Sequence, residues 1–220
     1  MSPAAPRAAL FDMDRTLVRV ETASLYVRHQ RRMGQATLRD GARVALWVAQ
    51  YTLGVVDAAR VTERALATVA GLPETAMAAR CEELFRLYAE RHVGHRARAA
   101  VLRHQAAGHL TAVVTAASPY AARPLARRLG IDHVVASELE VRDHRLTGRA
   151  LPPLCYAEGK VERAQRLAER HGFSLRDATF YSDSVSDLPL LLAVGEPVAV
   201  NPDPRLRREA RRRGWRVEAW

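Results

Sequence analysis

The sequence predicts an α/β fold: a doubly wound parallel sheet with an all-helical insertion after its first strand and a small β-hairpin insertion later on. Three observations predict it. From residue 95 onward, short apolar runs of strand length alternate with amphipathic stretches of helix length, the pattern of a parallel sheet covered on both faces. Between the first apolar run and the second lies a long break, residues 17 to about 93, with helical patterning and no strand signal. Residues 138–148 read Glu-Leu-Glu-Val, then Arg-Asp-His, then Arg-Leu-Thr-Gly, two short alternating runs around a polar turn.

In chain order, the first strand is expected at residues 8–13. Helical segments follow at 22–33, 38–54, 59–70 and 74–91, punctuated by Gly34, by Gly54 with Asp57, and by Gly71-Leu72-Pro73. Strands are then expected at 110–115, 133–137, 178–182 and 197–200, and helices at 95–107, 119–129, 158–171, 187–193 and 204–213. The chain therefore divides into an α/β core, residues 1–16 and 94–220, and a helical cap, residues 17–93. The most hydrophobic helical stretch, Val44 to Val56, carries Trp47 and Tyr51; its apolar stripe reads as cap core. No internal repeat or low-complexity linker interrupts this plan.

At 220 residues the chain is long enough for one full core plus an insertion. It has no apolar run of 18 residues, and Val44–Val56 is broken by Gln50 and Gly54, so no stable membrane association is expected. Met1 to Arg7 is short, contains two prolines and leads straight into a strand, unlike a secretory signal. Two cysteines, Cys81 and Cys155, are too few for a disulfide framework or a zinc site, which makes the cytoplasm the expected location. The net charge is +10, and seven arginines crowd into residues 205–216. Such a run can bind nucleic acid, but no aromatic interleaves it before Trp215 and no nucleic-acid motif accompanies it. It reads as a solvated helix face whose field also attracts an anionic substrate, and no nucleic-acid partner is expected.

The chemistry concentrates in four places. Residues 11–17 read Phe-Asp-Met-Asp-Arg-Thr-Leu, with Asp12 and Asp14 two residues apart at the end of an apolar run. In an extended strand such residues point the same way, and two adjacent carboxylates destabilise each other unless a cation lies between them or one keeps a proton. A hard cation such as Mg²⁺, which takes oxygen ligands, suits the pair. Residues 110–119 form an apolar strand ending in Thr115 before a loop, residues 158–160 read Glu-Gly-Lys at a helix start, and residues 178–187 run from an apolar strand into Asp183 and Asp187. Lys160 is the only lysine among 34 Lys and Arg residues. Where arginine serves everywhere else, a lone lysine indicates a need for a compact ammonium instead of a planar fork. Ligands of doubly wound sheets bind beyond the carboxyl ends of the strands, where Asp12, Asp14, Thr115 and Asp183 all fall.

These four motifs, in this order and over nearly the whole chain, resemble those of the haloacid dehalogenase superfamily. The helical cap after motif one and the hairpin are similar to its phosphoserine phosphatase branch. The resemblance implies a Rossmann-like core and a Mg²⁺-dependent phosphomonoesterase working through an aspartyl-phosphate. It implies Asp12 as nucleophile and Asp14 as general acid and base. The metal would be held by Asp12, the backbone carbonyl of Asp14 and Asp183, with Asp187 steadying the metal shell. Thr115, the backbone N–H of Ala116, and Lys160 would cradle the phosphoryl group. Glu21, nine residues after Asp12, has the spacing of a glutamate that meets a substrate ammonium; Arg64 is the nearest candidate for a substrate carboxylate. Ser186 stands where the family often has asparagine. The chain departs from the family in Arg15, where glycine is frequent, and in Thr-Ala-Ala at 115–117, where Ser-Gly-Gly is usual.

The implied partner is a small phosphorylated metabolite, either phosphoserine or another amino-alcohol phosphate, for a chain that is monomer or homodimer. An apolar wall around Trp47 and Tyr51 would also suit histidinol phosphate or a lysophospholipid. A dehalogenase needs neither an acid at Asp14 nor the pair Asp183 and Asp187. A phosphotransferase would require the cap to exclude water. A non-catalytic nucleic-acid-binding protein using the arginine run would have no use for Asp12 with Lys160.

Overall fold

The structure, a computed structural model, describes residues 7–22, 24, 25, 29 and 65–220. The expected helical segments at 22–33, 38–54 and 59–70 lie largely outside the described residues, and Trp47, Tyr51 and Arg64 lie wholly outside them. Among the described residues, strands β1 (Ala8–Phe11), β2 (Leu110–Val114), β3 (His133–Val135), β6 (Ala178–Ser182), β7 (Glu196–Val200) and β8 (Arg216–Glu218) form one sheet in the order β3-β2-β1-β6-β7-β8. Every pairing in it is parallel. Strands β4 (Leu139–Arg142) and β5 (Arg145–Ala150) form a separate antiparallel hairpin.

The two-residue period of the strands sorts their side chains between two cores. Ala9, Phe11, Val113 and Tyr181 face helices α2 (His95–Ala106) and α3 (Pro119–Leu129), meeting Val101, Ala122 and Leu125. Ala8, Leu10, Ala112 and Phe180 face the opposite side. There they meet Ala164 and Leu167 of helix α4 (Glu158–His171), Leu190 of α5 (Leu188–Ala193) and Leu206 of α6 (Pro204–Arg213). Phe11 and Tyr181 lie in register on adjacent strands and stack at 4.8 Å between ring centroids. Phe11 is fully buried, and replacing such a side chain by alanine costs about 3–5 kcal/mol.

Four details differ from the sequence expectation. β1 stops at Phe11, so Asp12 to Asp14 form a turn beyond the strand and not its last residues. The helix expected at 74–91 is α1 (Glu74–Leu84) followed by a π-helical turn, Phe85–Ala89, and a 3-10 turn, Glu90–His92. The hairpin runs on to Ala150, and the edge strand β8 has no counterpart in the sequence reading.

The segments that leave and re-enter the sheet layer are tied together: Arg19 N–H donates to the His92 carbonyl at 3.0 Å and Gly94 N–H to that of Leu17 at 3.1 Å. α1 packs on α3, where the Tyr120 hydroxyl donates to Glu74 at 3.1 Å and Arg127 pairs with Glu82. Gly71 N–H donates to the Leu146 carbonyl and Leu146 N–H to that of Leu72, joining the end of the insertion to the hairpin. Among the described residues, no helix is long and apolar enough to cross a membrane.

Candidate active site

Asp12 follows β1 directly, and its N–H still donates to the Tyr181 carbonyl of β6 at 2.9 Å. It therefore keeps the strand's alternation, two residues beyond Leu10, and its carboxylate emerges on the side covered by α4. Lys160 in the first turn of α4 meets it there. The Lys160 ammonium donates to Asp12 Oδ1 at 2.6 Å and to Asp187 Oδ2 at 2.7 Å, and its side chain is only 3% exposed. Gly159 permits this placement: a Cβ at that position would lie 1.9 Å from the Leu154 carbonyl oxygen, so any other residue would push the start of α4 away.

The loop after β6 supplies the other carboxylates. Asp183 and Asp187 are both buried. The Ser182 hydroxyl donates to Asp187 Oδ2 at 2.7 Å, and Thr16 Oγ1 lies 3.4 Å from Asp183 Oδ1. Asp203 braces the loop: its carboxylate accepts from Val185 N–H, and its own N–H donates to the Asp183 carbonyl. After β2, Thr115 is buried and its hydroxyl accepts from Ala117 N–H at 3.2 Å, which leaves the hydroxyl proton for another acceptor. Asp14 is less buried. Its two oxygens accept from Thr22 N–H at 2.9 Å and from the Thr22 hydroxyl at 3.2 Å.

The structure thus brings Asp12, Lys160 and Asp187 into direct contact and sets Asp183 close enough to feel the charges of Asp12 and Asp187. Glu21 comes to the same mouth, where its charge acts on Asp14 and Asp183. Ser186 pairs with the Ser184 hydroxyl at 2.9 Å instead of with a site carboxylate, and Arg64 lies outside the described residues. Thr16, Thr22 and Ser182 went unassigned in the sequence reading. Thr22 lies 8 positions from the aspartate it serves and Ser182 lies 5, whereas Thr16 reaches Asp183 from 167 positions away, and hydroxyls in such loops are too common to be singled out. A groove of about 590 Å³ between β3 and α4 contains none of these residues.

Burial dominates the electrostatics. It pushes the Asp12 carboxyl up to about 7, with Lys160 pulling down and Asp187 pushing up. Asp14 is pushed up to about 7 by burial and then by Glu21, and Asp183 to about 8 by burial and then by Asp12 and Asp187. Burial alone would lower the Lys160 ammonium, but Asp12 and Asp187 hold it well above its ordinary value, so it stays charged. One buried lysine thus pairs with Asp12 and Asp187, while the buried Asp183 carboxyl close to both has no lysine of its own. The cluster lacks positive charge, and its donors are all oxygen, which fits a hard divalent cation. Among the described residues, no three His, Cys, Asp or Glu side chains are placed to hold a metal by themselves. A cation here would also need backbone oxygen, water and the substrate.

The model of the haloacid dehalogenase-like hydrolase family matches residues 9–192, and the chain belongs to that family. The chain is 33% identical over 214 residues to phosphoserine phosphatase SerB1 of Mycobacterium tuberculosis (strain ATCC 25618 / H37Rv), covering 96% of this chain and 70% of that protein. It is 31% identical to the histidinol-phosphatase of Neisseria meningitidis serogroup C (strain 8013), covering 95% and 96%. A protein of unknown function from Bordetella pertussis Tohama I has the same fold, with a TM-score of 0.86, 36% identity, and coverage of 98% of this chain and 99% of that one. Within the family the chain is a phosphatase, phosphoserine phosphatase-like in sequence and architecture.

Proposed function

We propose that this phosphatase is Mg²⁺-dependent and hydrolyses a small phosphorylated metabolite, phosphoserine or another amino-alcohol phosphate, through an aspartyl-phosphate on Asp12. The observation that carries the reading is Lys160, which bridges Asp12 at 2.6 Å and Asp187 at 2.7 Å inside a cluster short of positive charge. The lysine pulls the Asp12 carboxyl down against its burial, toward the ionised form that a nucleophile requires. Asp12 attacks phosphorus and the leaving alkoxide takes a proton from Asp14, whose carboxyl is held near neutrality at about 7. Asp14, now ionised, takes a proton from the water that attacks the aspartyl-phosphate, which restores both groups. Thr115 and the N–H of Ala116 donate to the phosphoryl oxygens, joined by Lys160 as charge moves off Asp12. Asp12, Asp183 and the Asp14 carbonyl would hold Mg²⁺, with Asp187 steadying them, and the cation would neutralise phosphoryl charge.

Residues 17–93 act in this reading as the cap over the core of residues 1–16 and 94–220; the backbone ties of Leu17 to Gly94 and Arg19 to His92 support a neck there. Glu21 would meet a substrate ammonium. Histidinol phosphate is the second reading, favoured by the Neisseria relative that covers nearly the full chain. The test is phosphate release from O-phosphoserine, histidinol phosphate and p-nitrophenyl phosphate, with and without Mg²⁺. Wild-type protein is expected to turn over with Mg²⁺ alone and Asp12→Asn not at all. Hydrolysis by a folded Asp12→Asn protein would refute the covalent route.

A further inference from the structure

The helix that delivers Lys160 begins under strain. α4 starts after Ala157, which has no side-chain group to cap the first turn and is held at φ 47° and ψ −120°, a backbone conformation that suits glycine. A non-glycine residue stays there only where its surroundings over-determine it. Here the surroundings are the loop of residues 151–157. Leu151 N–H donates to the Glu138 carbonyl at 2.8 Å and Cys155 N–H to the Ser137 hydroxyl at 3.0 Å, which fasten the loop to the chain just after β3. The tie to α4 itself is Arg163. Long side chains on a helix lean back toward its N-terminus. Arg163 does so, donating from Nε to the Pro153 carbonyl at 2.7 Å and from Nη2 to the Leu151 carbonyl at 3.0 Å. Next in the loop, the Leu154 carbonyl lies so close to Gly159 that a Cβ there would be 1.9 Å from its oxygen. Arg163 thus closes a ring from α4 to the loop that feeds it, with Gly159 and Lys160 inside.

We propose that Arg163 is a positioning residue for the phosphatase reaction: by clamping the loop before α4 onto the helix, it sets the Lys160 ammonium between Asp12 and Asp187. This rests on the role given to Lys160 above and deepens it. Lys160 donates at 2.6 Å and 2.7 Å from a space that leaves it 3% exposed, so a shift of the first turn cannot be absorbed by the side chain. The two loop carbonyls need two donors at a fixed spacing, which a guanidinium fork supplies and a single-donor side chain does not. The hydrogen bonds of Arg163 go to loop carbonyls, so its effect on catalysis passes through the loop and Lys160. Lys160 acts as charge moves off Asp12, so misplacing it weakens the transition state more than substrate binding, and the loss falls on kcat more than on KM.

Lys160 is the only lysine in the chain, which gives the test a direct readout. Protein grown on lysine carrying ¹³C at Cε shows one lysine Cε resonance, that of Lys160, whether or not the protein is active. The variants are Arg163→Met, Arg163→Gln, which keeps a donor and adds no second lysine, and Arg170→Met. The last is a control on the same helix, where Arg170 Nε donates only to the Arg166 carbonyl. In Arg163→Met the Lys160 resonance is expected to move. Its kcat on p-nitrophenyl phosphate with Mg²⁺ should fall by about 10²-fold, the cost of misplacing a group by about 1 Å, with KM changed far less. Arg163→Gln should lie between, and it carries the comparison if Arg163→Met does not fold. Arg170→Met should match wild type in resonance and kcat. A folded Arg163 variant that lowers Tm but keeps the wild-type resonance and kcat would make Arg163 a strut of the fold and overturn its positioning role. Lost kcat with an unmoved resonance would overturn it too, and either result leaves the phosphatase reading in place. Absence of Mg²⁺-dependent hydrolysis by wild type would overturn that reading instead, and the resonance would still decide whether Arg163 holds Lys160.

Discussion

Replacing Lys160 perturbs the site at its most constrained point. Lys160→Met keeps the stem and removes the ammonium that donates to Asp12 and Asp187. Asp187 keeps the Ser182 hydroxyl, while Asp12 loses its only ion-pair partner among the described residues. Stranding buried charge in this way costs about 3–5 kcal/mol, or roughly 6–20 °C in Tm at ~2–4 °C per kcal/mol for a chain of this size. The deficit should shrink as pH falls: without the lysine the Asp12 carboxyl rises further, and below its new value it is neutral and no longer needs a partner. Lys160→Arg keeps the charge but forces a wide fork into a space where the lysine is 3% exposed. Overpacking of that kind costs about 1–3 kcal/mol, and displacing a phosphoryl donor costs about 10²–10³ in kcat. Thermal unfolding at pH 8 and pH 5, with phosphate release at saturating substrate and Mg²⁺, reads all of this. A Lys160→Arg protein with wild-type Tm and kcat would refute the argument, because arginine would then suffice and the lone lysine would be an accident of composition.

Four other outcomes follow from the same geometry. Asp14→Asn should slow turnover by at least ~10²-fold in steady-state assays; an unchanged kcat would remove Asp14 from the acid–base role. Mg²⁺ binding, followed by calorimetry in buffers of different ionisation enthalpy, should release protons and tighten from pH 6 to pH 8. The reason is that Asp12 and Asp183 hold protons up to about 7 and about 8 and must lose them to bind a cation; a pH-independent affinity would contradict this. His104, whose Nε2 lies 2.8 Å from the Tyr181 hydroxyl, is held down at about 4 by burial and then by His109. The unfolded chain therefore takes a proton near pH 6.5 that the folded chain refuses, so the stability advantage of wild type over His104→Gln should be full above that pH and fade toward pH 4. If the advantage stays constant, His104 contributes packing alone. The arginines of α6 should give only weak DNA mobility shifts that vanish with added salt, and sequence-selective, salt-resistant binding would revive the nucleic-acid reading.

The core was legible because each of its elements carries a local signal that tertiary packing also obeys. α3 begins at residue 119 in both readings: Ser118 accepts from Ala121 N–H and Pro119 takes the first helical position, where no N–H is needed. β6 spans 178–182 as expected, since a buried strand reads as an unbroken apolar run. β8 was missed for the converse reason. Arg-Val-Glu at 216–218 is exposed or only partly buried and joins the sheet through backbone pairing with β7, which no side-chain pattern announces. The break of the 74–91 helix at Phe85 also carries no proline or glycine to mark it.

The site divides along the same line. Asp12 and Lys160 are 148 residues apart in sequence, yet their meeting follows from local rules. Strand alternation sends Asp12 to the Leu10 side of the sheet, and α4 covers that side, so the single lysine at its start has one place to go. What could not be read was the pairing of Arg15 with Glu21. In the sequence Arg15 is a departure from a frequent glycine, and Glu21 a separate residue with a spacing to match. Thr22 supplies the missing step: by donating twice to Asp14 it folds the chain back on motif one and swings Glu21 beside the left-handed Arg15. The positions of Asp12 and Lys160 are dictated by the sheet and the helix that covers it. The mouth of the site, where Arg15 and Glu21 meet, is instead shaped by a turn that the Thr22 bonds to Asp14 hold in place.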